Sequence, residues 1–373
     1  MFQEKIANRQ LFNVFFIMRT TIVISTLPVL TIGRARQDAW LAAVVAFFLG
    51  VVFIWLLGRL ALNFPEQSII QYSEALLGKW LGKLFSLFYL GAFLLMGFTD
   101  LRTYGEVLRT VFLPETPLAV ILGSMVVLAV AVVYAGLEPL GRMGDLIFPV
   151  FTLATLFTLF FPVLEADFSN LRPVLYHGWQ PVLHAALTPT VITAQYANLT
   201  ILIPSVNQPQ KALRAALYSL LWSSLILVLA AVVVVSLLGA DEGAHAAFPV
   251  FKMIRAIRVS EFLERVEVFP IFAWGLGLFI TLAINLYSLA KGLSQLCRLQ
   301  NYRPLLLPLA VITSTLALQG YSDSFELRLF FQPQVIAPFI FFILLFPVAI
   351  LWIAYFFKRK KGPGFPKEKG RGR

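Results

Sequence analysis

The stretch FIMRTTIVISTLP, residues 16–28, places an arginine, four hydroxyl side chains and a proline inside an otherwise apolar run. The run is about long enough to cross a bilayer, and further runs of about this length fill most of the chain. The sixth run, near residues 182–203, is interrupted by polar residues at the matching place in the second half of the chain. A matched pair of interrupted spans predicts a substrate site near the middle of a transporter-type bundle.

The composition is typical of a polytopic membrane protein. Hydrophobic residues make up 59% of the 373 residues, and charged residues make up 13%. Because hydrocarbon offers no partners to backbone N–H and C=O groups, continuous apolar runs of this length predict helices rather than barrel strands. The sequence therefore predicts an all-α protein with about ten transmembrane helices.

Ten spans are predicted, with short polar connectors between them. They are Leu11–Ile32, Ala39–Leu60, Leu84–Tyr104, Leu118–Gly136, Leu146–Leu164, Val182–Ile203, Leu217–Leu238, Phe269–Lys291, Leu305–Leu318 and Val335–Phe357. The ninth is the weakest, because about 14 apolar residues also suit a re-entrant or buried segment. A count of nine or ten spans depends on it.

The distribution of Lys and Arg predicts that both termini are cytoplasmic. Cytoplasmic segments carry an excess of these residues, and the largest basic segment is the tail at residues 358–373. The predicted organisation is an amino-terminal segment 1–10, a transmembrane domain 11–357 and this tail, which we interpret as an anchor against the anionic lipid bilayer. The net charge of +11 is attributed to this topology and not to nucleic-acid binding.

Motifs for catalysis or metal binding do not occur in the sequence. Cys297 is the single cysteine, and none of the three histidines has metal-ligand spacing with a second histidine or a carboxylate. There is no nucleophile elbow, phosphate loop or zinc signature. The sequence predicts that the protein is not an enzyme and holds no cofactor.

Five spans followed by five spans predict an inverted repeat, with one half near residues 11–164 and the other near 182–357. An odd number of spans per half makes the second half enter the membrane from the opposite side. Transporters of this kind bind their ligand between the discontinuous first helices of the two halves, where unwound backbone offers free N–H and C=O groups. Spans one and six are therefore the expected ligand site.

Thr20 and Ser25 are the candidate ligand contacts in span one. Pro28 is a candidate structural or gating residue, because proline lacks an N–H donor and frees a carbonyl one turn earlier. Two interpretations of this span stay open. It is either a break that lines a ligand site or a kinked helix whose Ser and Thr side chains bond their own carbonyls.

Arg19 lies about 12 Å from the inner end of span one, too deep to reach the membrane surface easily. A buried arginine must face a cavity or an acid. It could therefore bind a substrate carboxylate, or it could lock two helices together. The acids considered for such a lock are Asp100, Glu138 and Asp145.

Span six is more polar than span one. Its candidate ligand contacts are Thr193, Gln195, Tyr196 and Asn198, in a stretch otherwise made of Val, Ile, Ala and Leu. Such groups are costly in lipid unless they face partners or a cavity, although interhelical hydrogen bonds average only about 0.6 kcal/mol. We expect them to line a small polar cavity.

Spans three and eight are equivalent in an inverted repeat and flank the two broken helices. Thr281, Asn285 and Tyr287 in span eight are therefore further candidates for lining the site. Gly275 and Gly277 are predicted to allow close helix contact.

The end of span three carries several charges. Arg102 and Glu106 are four residues apart, a spacing that favours a same-face pair on a helix. The sequence predicts a solvated helix end there.

Several short strings, taken in their order and spacing, resemble the permease-like B subunits of GerA-type spore germinant receptors. This family lies within the amino acid/polyamine/organocation transporter group, and the likeness runs almost end to end. The strings are Asp38-Ala39-Trp40-Leu41, Leu77-Gly78-Lys79-Trp80-Leu81-Gly82-Lys83, Thr116-Pro117-Leu118, Gly136-Leu137-Glu138 with Arg142, Asn170-Leu171-Arg172-Pro173-Val174-Leu175, Phe248-Pro249 and Arg265-Val266-Glu267.

The resemblance implies a LeuT-like 5+5 inverted repeat in the spore inner membrane, beside an A subunit and a lipoprotein C subunit. It implies that the protein senses a small nutrient ligand, often an amino acid, in a transporter-type pocket. Arg265 and Glu267, which open span eight, are assigned a structural or gating role. The rival function is secondary transport of an amino acid with H⁺ or Na⁺, and a third is a scaffold whose pocket is vestigial.

Two positions depart from the family pattern. Many relatives have a glycine-bearing break where this chain has Arg19-Thr20-Thr21, and Gly-Tyr/Phe-Glu where it has Gln195-Tyr196-Ala197. The missing carboxylate in span six argues against proton or amine coupling through that position, because an intramembrane acid is the usual partner of a proton or cation.

Overall fold

A computed structural model describes residues 4–25, 27–246, 249–256 and 268–361, and most of these residues are helical. The α-helices are, in chain order, α1 (Asn8–Ser25), α2 (Leu27–Ala35), α3 (Ala39–Leu62), α4 (Ile69–Leu77), α5 (Lys79–Val111), α6 (Leu118–Ala135), α7 (Leu137–Val163), α8 (Trp179–Ile192), α9 (Leu199–Leu202), α10 (Pro209–His245), α11 (Pro249–Ala256), α12 (Val268–Leu296), α13 (Leu306–Gln319), α14 (Ser324–Phe330), α15 (Pro333–Ile340) and α16 (Phe346–Lys361). A 3₁₀ segment, Thr193–Asn198, joins α8 to α9, and a π-helical turn, Phe341–Leu345, joins α15 to α16.

Helices occupy all ten predicted spans, which confirms the predicted fold class. Seven stretches of the described chain are long and apolar enough to cross a membrane, and an eighth is obtained if α13 and α14 form one span. These two helices bend by 105° at their junction, in the segment for which the sequence left a re-entrant alternative open. Spans six and ten are divided into shorter helical pieces.

The first spans of the two halves run in opposite directions. At the end of the bundle that holds the amino terminus, the backbone N–H of Ile6 donates to the carbonyl of Ser205 at 2.9 Å. At the opposite end, the backbone N–H of Leu175 donates to the Asp38 carboxylate at 3.0 Å. Span one therefore starts where span six ends, as the inverted repeat requires.

Spans one and six form the centre of the bundle. Helix α10 packs against α1, α2 and α3, and α3 also packs against α8. Helices α7 and α12 both pack against α1, and α12 also packs on α5. Large apolar side chains on the outer faces are exposed, among them Phe48, Leu87 and Phe160. Such a surface suits contact with lipid hydrocarbon.

Of the two glycines predicted to allow close contact, only Gly277 does so in the described structure. A Cβ atom at Gly277 would overlap Thr21 Oγ1 of α1 and lie 2.6 Å from Phe151 Cε2 of α7. A Cβ atom at Gly275 would have no neighbour within 4 Å. Gly277 therefore sets the distance between α12 and span one.

The end of span three was predicted to be solvated, and this prediction is wrong for the ion pair between Arg102 and Glu106. Helix α5 continues to Val111, and Arg102 Nη2 lies 3.0 Å from Glu106 Oε1 with both side chains buried. Arg102 Nη1 also donates to the carbonyls of Ala317 at 3.1 Å and Leu318 at 3.0 Å. Helix α13 ends against this part of α5, and the guanidinium satisfies its terminal carbonyls.

Candidate functional site

Span one keeps its helix through the residues predicted to interrupt it. Helix α1 runs through Thr20 and Thr21, and the hydroxyl of Thr21 donates to the Ile17 carbonyl at 2.7 Å. Pro28 lies in α2, the helix that is described from Leu27 onward. The back-bonded interpretation is therefore correct for Thr21. The side chain of Ser25 lies outside the described residues.

Span six changes helix type at its predicted polar stretch. At the end of α8 the backbone N–H of Thr193 donates to the carbonyls of Thr190 and Val191, so the chain tightens into a 3₁₀ helix. The carbonyl of Pro189 accepts instead from the Thr193 hydroxyl at 3.0 Å and from Arg19 Nη2 at 2.7 Å. Two side chains thus satisfy this carbonyl at the end of α8.

Arg19 links spans one and six through this carbonyl and not through an acid. Its side chain is 1% exposed, and Nε and Nη1 have no hydrogen-bond partner among the described residues. The prediction that Arg19 pairs with an acid is wrong for the three acids considered, because each of them has other partners. These partners are Gln195 and Asn285 for Asp100, Arg142 for Glu138, and Arg9, Gln10 and Asn13 for Asp145. The observed lock joins α1 to the carboxyl end of α8, where the helix dipole favours a cation.

Asp100 of α5 is the centre of a buried polar network. Gln195 Nε2 donates to Asp100 Oδ2 at 2.9 Å, and Asn285 Nδ2 of α12 donates to the same oxygen at 3.1 Å. Asn198 Nδ2 donates to Asn285 Oδ1 at 2.9 Å. The network joins the equivalent spans three and eight to the 3₁₀ segment of span six.

A cleft lies beside this network. Its empty space, mouth included, is about 410 Å³. The lining residues are Ile22 of α1, Leu95, Met96, Thr99 and Asp100 of α5, Val191 and Ile192 of α8, Gln195 of the 3₁₀ segment, Phe330 of α14, Phe331, and Ile336 of α15. The cleft is therefore mostly apolar, with Thr99, Asp100 and Gln195 supplying its polar surface.

The 3₁₀ geometry divides the predicted contacts of span six between two faces. In a 3₁₀ helix, residues three apart lie one above the other. Gln195 and Asn198 form one such pair and face α5 and α12. Thr193 and Tyr196 form the other pair. Tyr196 stacks on Phe15 of α1 with ring centroids 4.9 Å apart.

Tyr196 and Thr193 are thus placed away from the cleft. The Tyr196 hydroxyl lies 3.0 Å from Ser219 Oγ of α10, and Thr193 lies against Gly50 of α3. Of the predicted ligand contacts that the structure describes, Gln195 lines the cleft, and Asn198 supports it from behind through Asn285.

The remaining candidates lie further from the cleft or outside the described residues. Thr20 is buried within α1, and its hydroxyl has no partner among the described residues. The Thr281 hydroxyl donates to the Gly277 carbonyl at 2.9 Å. Tyr287 packs edge-on against Tyr302, with ring centroids 5.3 Å apart. Arg265 and Glu267 lie outside the described residues. Within the described ranges, no three His, Cys, Asp or Glu side chains are grouped to hold a metal.

Sequence reasoning considered Asp100 only as a partner for Arg19. A signal for its role was present, because a carboxylate inside a membrane span is a functional candidate by default. Asp100 falls within the predicted span Leu84–Tyr104 and is 7% exposed. Span three brings this acid to the 3₁₀ segment of span six.

Comparisons with known proteins agree with this architecture. A model of the spore permease family, described as spore germination protein, matches residues 5–323. Spore germination protein KB of Bacillus subtilis (strain 168) is 28% identical over 366 residues, which cover 96% of this chain and 97% of that protein. Spore germination protein YndE of the same organism is 26% identical over 272 residues, or 72% of this chain and 75% of that protein.

A solved transporter-type structure shares the fold. The crystal structure of MhsT in complex with L-phenylalanine matches with a TM-score of 0.63 at 10% identity, covering 93% of this chain and 98% of that chain. This likeness confirms the predicted LeuT-like fold. Because the family match extends over most of its length, the chain belongs to the spore permease family of spore germination proteins.

Proposed function

We propose that this protein is a nutrient-sensing membrane subunit of a spore germination receptor and that it binds a small ligand, of the amino acid class, in the cleft beside Asp100. The observation that carries the proposal is the cleft itself, which meets the polar network where span six becomes a 3₁₀ helix. Family membership supports the role in germination. The L-phenylalanine bound to MhsT, a protein of the same fold, supports the ligand class.

The position of the cleft provides a physical route from binding to signalling. Its walls come from both halves of the chain: α1 and α5 from the first, and α8, α14 and α15 from the second. A ligand that fills it contacts elements able to move relative to one another. Such a ligand shifts the balance between two bundle conformations in proportion to its differential affinity for them.

The proposal includes a cellular setting. The protein lies in the spore inner membrane with both termini in the cytoplasm, and it works beside an A subunit and a C subunit. The excess of Lys and Arg in the carboxyl-terminal tail supports this orientation.

A matched pair of substitutions on α5 tests the ligand site. Leu95 lines the cleft, whereas Leu87, two turns earlier on the same helix, is exposed on the outer surface. In spores that carry Leu95→Trp we expect the nutrient concentration for half-maximal germination to rise at least about tenfold, because the indole fills the cleft. Leu87→Trp makes the same change towards lipid and should leave the response unchanged.

The readout is the fall in optical density of spores across a panel of amino acids and sugars, with the amount of each variant measured by immunoblot. An unchanged response in Leu95→Trp spores that contain normal amounts of protein would contradict the proposal.

Secondary transport is the second candidate function, and one observation favours it. Asp100 is a membrane-buried carboxylate on the wall of the cleft, and such a group commonly binds a coupling proton or cation. Purified protein in lipid vesicles should then concentrate labelled amino acids under an imposed H⁺ or Na⁺ gradient. Concentrative uptake that Asp100→Asn abolishes would favour the transporter over the receptor.

A further inference from the structure

The Asp100 carboxylate has amide partners but no cationic partner. Both hydrogen bonds to it, from Gln195 and Asn285, end on Oδ2. No Lys or Arg forms an ion pair with Asp100 within the described part of the chain, and Arg102 on the same helix pairs with Glu106 and with carbonyls of α13. A buried carboxylate is strongly destabilised unless a positive charge or a full set of donors compensates it.

Two further acceptors beside Asp100 lack donors. Gln195 Oε1 and Asn198 Oδ1 are buried and have no hydrogen-bond partner among the described residues. Their identity as acceptors follows from the network, because the carboxylate can receive only the NH₂ ends of Gln195 and Asn285. The Asn285 oxygen then faces Asn198 and receives its NH₂ group. The oxygens of Gln195 and Asn198 therefore cannot be satisfied by flipping the amides.

A donor-rich cation would satisfy the Asp100 carboxylate and the Gln195 oxygen together. A primary ammonium carries one positive charge and three donors and has no acceptor of its own. It complements a carboxylate that lies beside the unpaired oxygen of Gln195. The rest of the cleft wall is apolar and includes Phe330, Phe331 and Ile336.

We infer that Asp100 and Gln195 form a subsite for a primary ammonium group and that the apolar wall holds the hydrocarbon part of the same ligand. The ligand class is a small primary amine or an amino acid with an apolar side chain. Arg19 is not among the cleft-lining residues, so recognition of the ligand rests on its positive end. This inference rests on the proposed function in that it places the sensed ligand in the cleft.

The first test compares ligands that share a skeleton and differ in charge. Purified full-length protein in detergent is titrated with 3-methylbutylamine, 3-methylbutan-1-ol and 3-methylbutanoic acid, with 2-phenylethylamine and 2-phenylethanol, and with L-leucine, while its thermal stability is measured. We expect the amines and L-leucine to stabilise the protein at concentrations at least about tenfold lower than the alcohols and the acid. Equal binding of amine and alcohol, preferred binding of the acid, or binding of none of these compounds would overturn the inference.

The second test removes the charge. Asp100→Asn keeps the shape of the side chain, and we expect it to weaken binding of the amines about 30-fold or more while the alcohols bind as before. Asp145→Asn is the matched control, because it makes the same change in the network with Arg9 and Asn13 at the amino-terminal end of the bundle. Amine binding to Asp100→Asn within threefold of the wild type would overturn the inference. The ligand comparison on the wild type decides the question if Asp100→Asn does not fold.

An inorganic cation is the competing occupant. Replacing choline chloride with NaCl or KCl should not stabilise the wild type selectively over Asp100→Asn. Selective stabilisation by the salt, without competition from the amine, would overturn the inference.

The receptor proposal fails separately, when Leu95→Trp leaves germination unchanged. Equal binding of L-leucine to the wild type and to Asp100→Asn would contradict the ammonium subsite but would not contradict the receptor proposal.

Discussion

Spans one and six occupy equivalent places in the two halves, yet Thr21 and Thr31 in the first and Gln195 and Asn198 in the second form opposite kinds of hydrogen bond. In span one the hydroxyls of Thr21 and Thr31 donate to carbonyls of their own helices, at 2.7 Å and 3.0 Å. In span six the side chains of Gln195 and Asn198 reach across to α5 and α12. The first arrangement satisfies polar groups locally, and the second joins three helices into one network.

The difference follows from helix type. An α-helix offers a hydroxyl the carbonyl four residues earlier, so a threonine in an unbroken helix needs no outside partner. The 3₁₀ segment of span six instead stacks residues three apart, which directs Gln195 and Asn198 together towards α5 and α12. We therefore expect span one to serve mainly as a packed wall and span six to supply polar contacts to the cleft.

The largest effect is expected where the wall of span one is packed most tightly. Gly277→Ala places a methyl group against Thr21 Oγ1 and Phe151. We expect the free energy of unfolding to fall by about 1–3 kcal/mol, the usual effect of overpacking. The melting temperature of the purified protein in detergent measures this change. Gly275→Ala on the same helix meets no atom within 4 Å and is the control.

Equal melting temperatures for the two alanine variants would show that α12 does not press on span one as closely as the structure places it. The contrast between a rigid first span and a functional sixth span would then lose its packing basis.

The apolar runs were sufficient to predict the helical fold, because a bilayer requires helices of a minimum length whatever their partners. The environment of Asp100 shows what such reasoning cannot predict. Its partners Gln195 and Asn285 lie far away in sequence, and their meeting depends on which faces of three helices pack together. No local pattern contains that information.

Arg19 and Tyr196 show the same limit at shorter range. The charge of Arg19 predicted a carboxylate or a ligand, but the structure supplies the Pro189 carbonyl that the change to a 3₁₀ helix leaves free. Tyr196 and Gln195 are neighbours with similar polar signals. Only the helix type determines that Gln195 faces the cleft while Tyr196 packs on Phe15.

A second prediction tests the chemistry assigned to span six. Gln195→Leu removes a donor to the buried Asp100 carboxylate, and a hydrogen bond to a charged group contributes about 1.5–3 kcal/mol. We expect the nutrient concentration for half-maximal germination to rise about tenfold or more. Gln319→Leu makes the same change at an exposed position at the end of α13 and is the control. A normal response in Gln195→Leu spores would place the sensing chemistry outside this network.

A third and smaller effect measures how strongly the network joins α12 to span six. Asn198 and Asn285 share one hydrogen bond of 2.9 Å. In a double-mutant cycle with Asn198→Ala and Asn285→Ala, we expect a coupling of about 0.6 kcal/mol, the average for interhelical hydrogen bonds in a membrane protein. Chemical unfolding of the four proteins provides the free energies. A coupling of zero would mean that the two helices are held by packing alone.

The smallest effect is expected for Thr21→Val in span one. Valine keeps the branched shape that packs against Gly277, and it removes only the hydroxyl bond to Ile17. The Ile17 carbonyl retains its place in the backbone ladder of α1, so no buried polar group is left without a partner. We expect a change in stability below about 0.5 kcal/mol and an unchanged germination response. A response shifted as far as that of Gln195→Leu would mean that the hydroxyl of Thr21 faces the ligand during signalling, and span one would then share the chemistry assigned to span six.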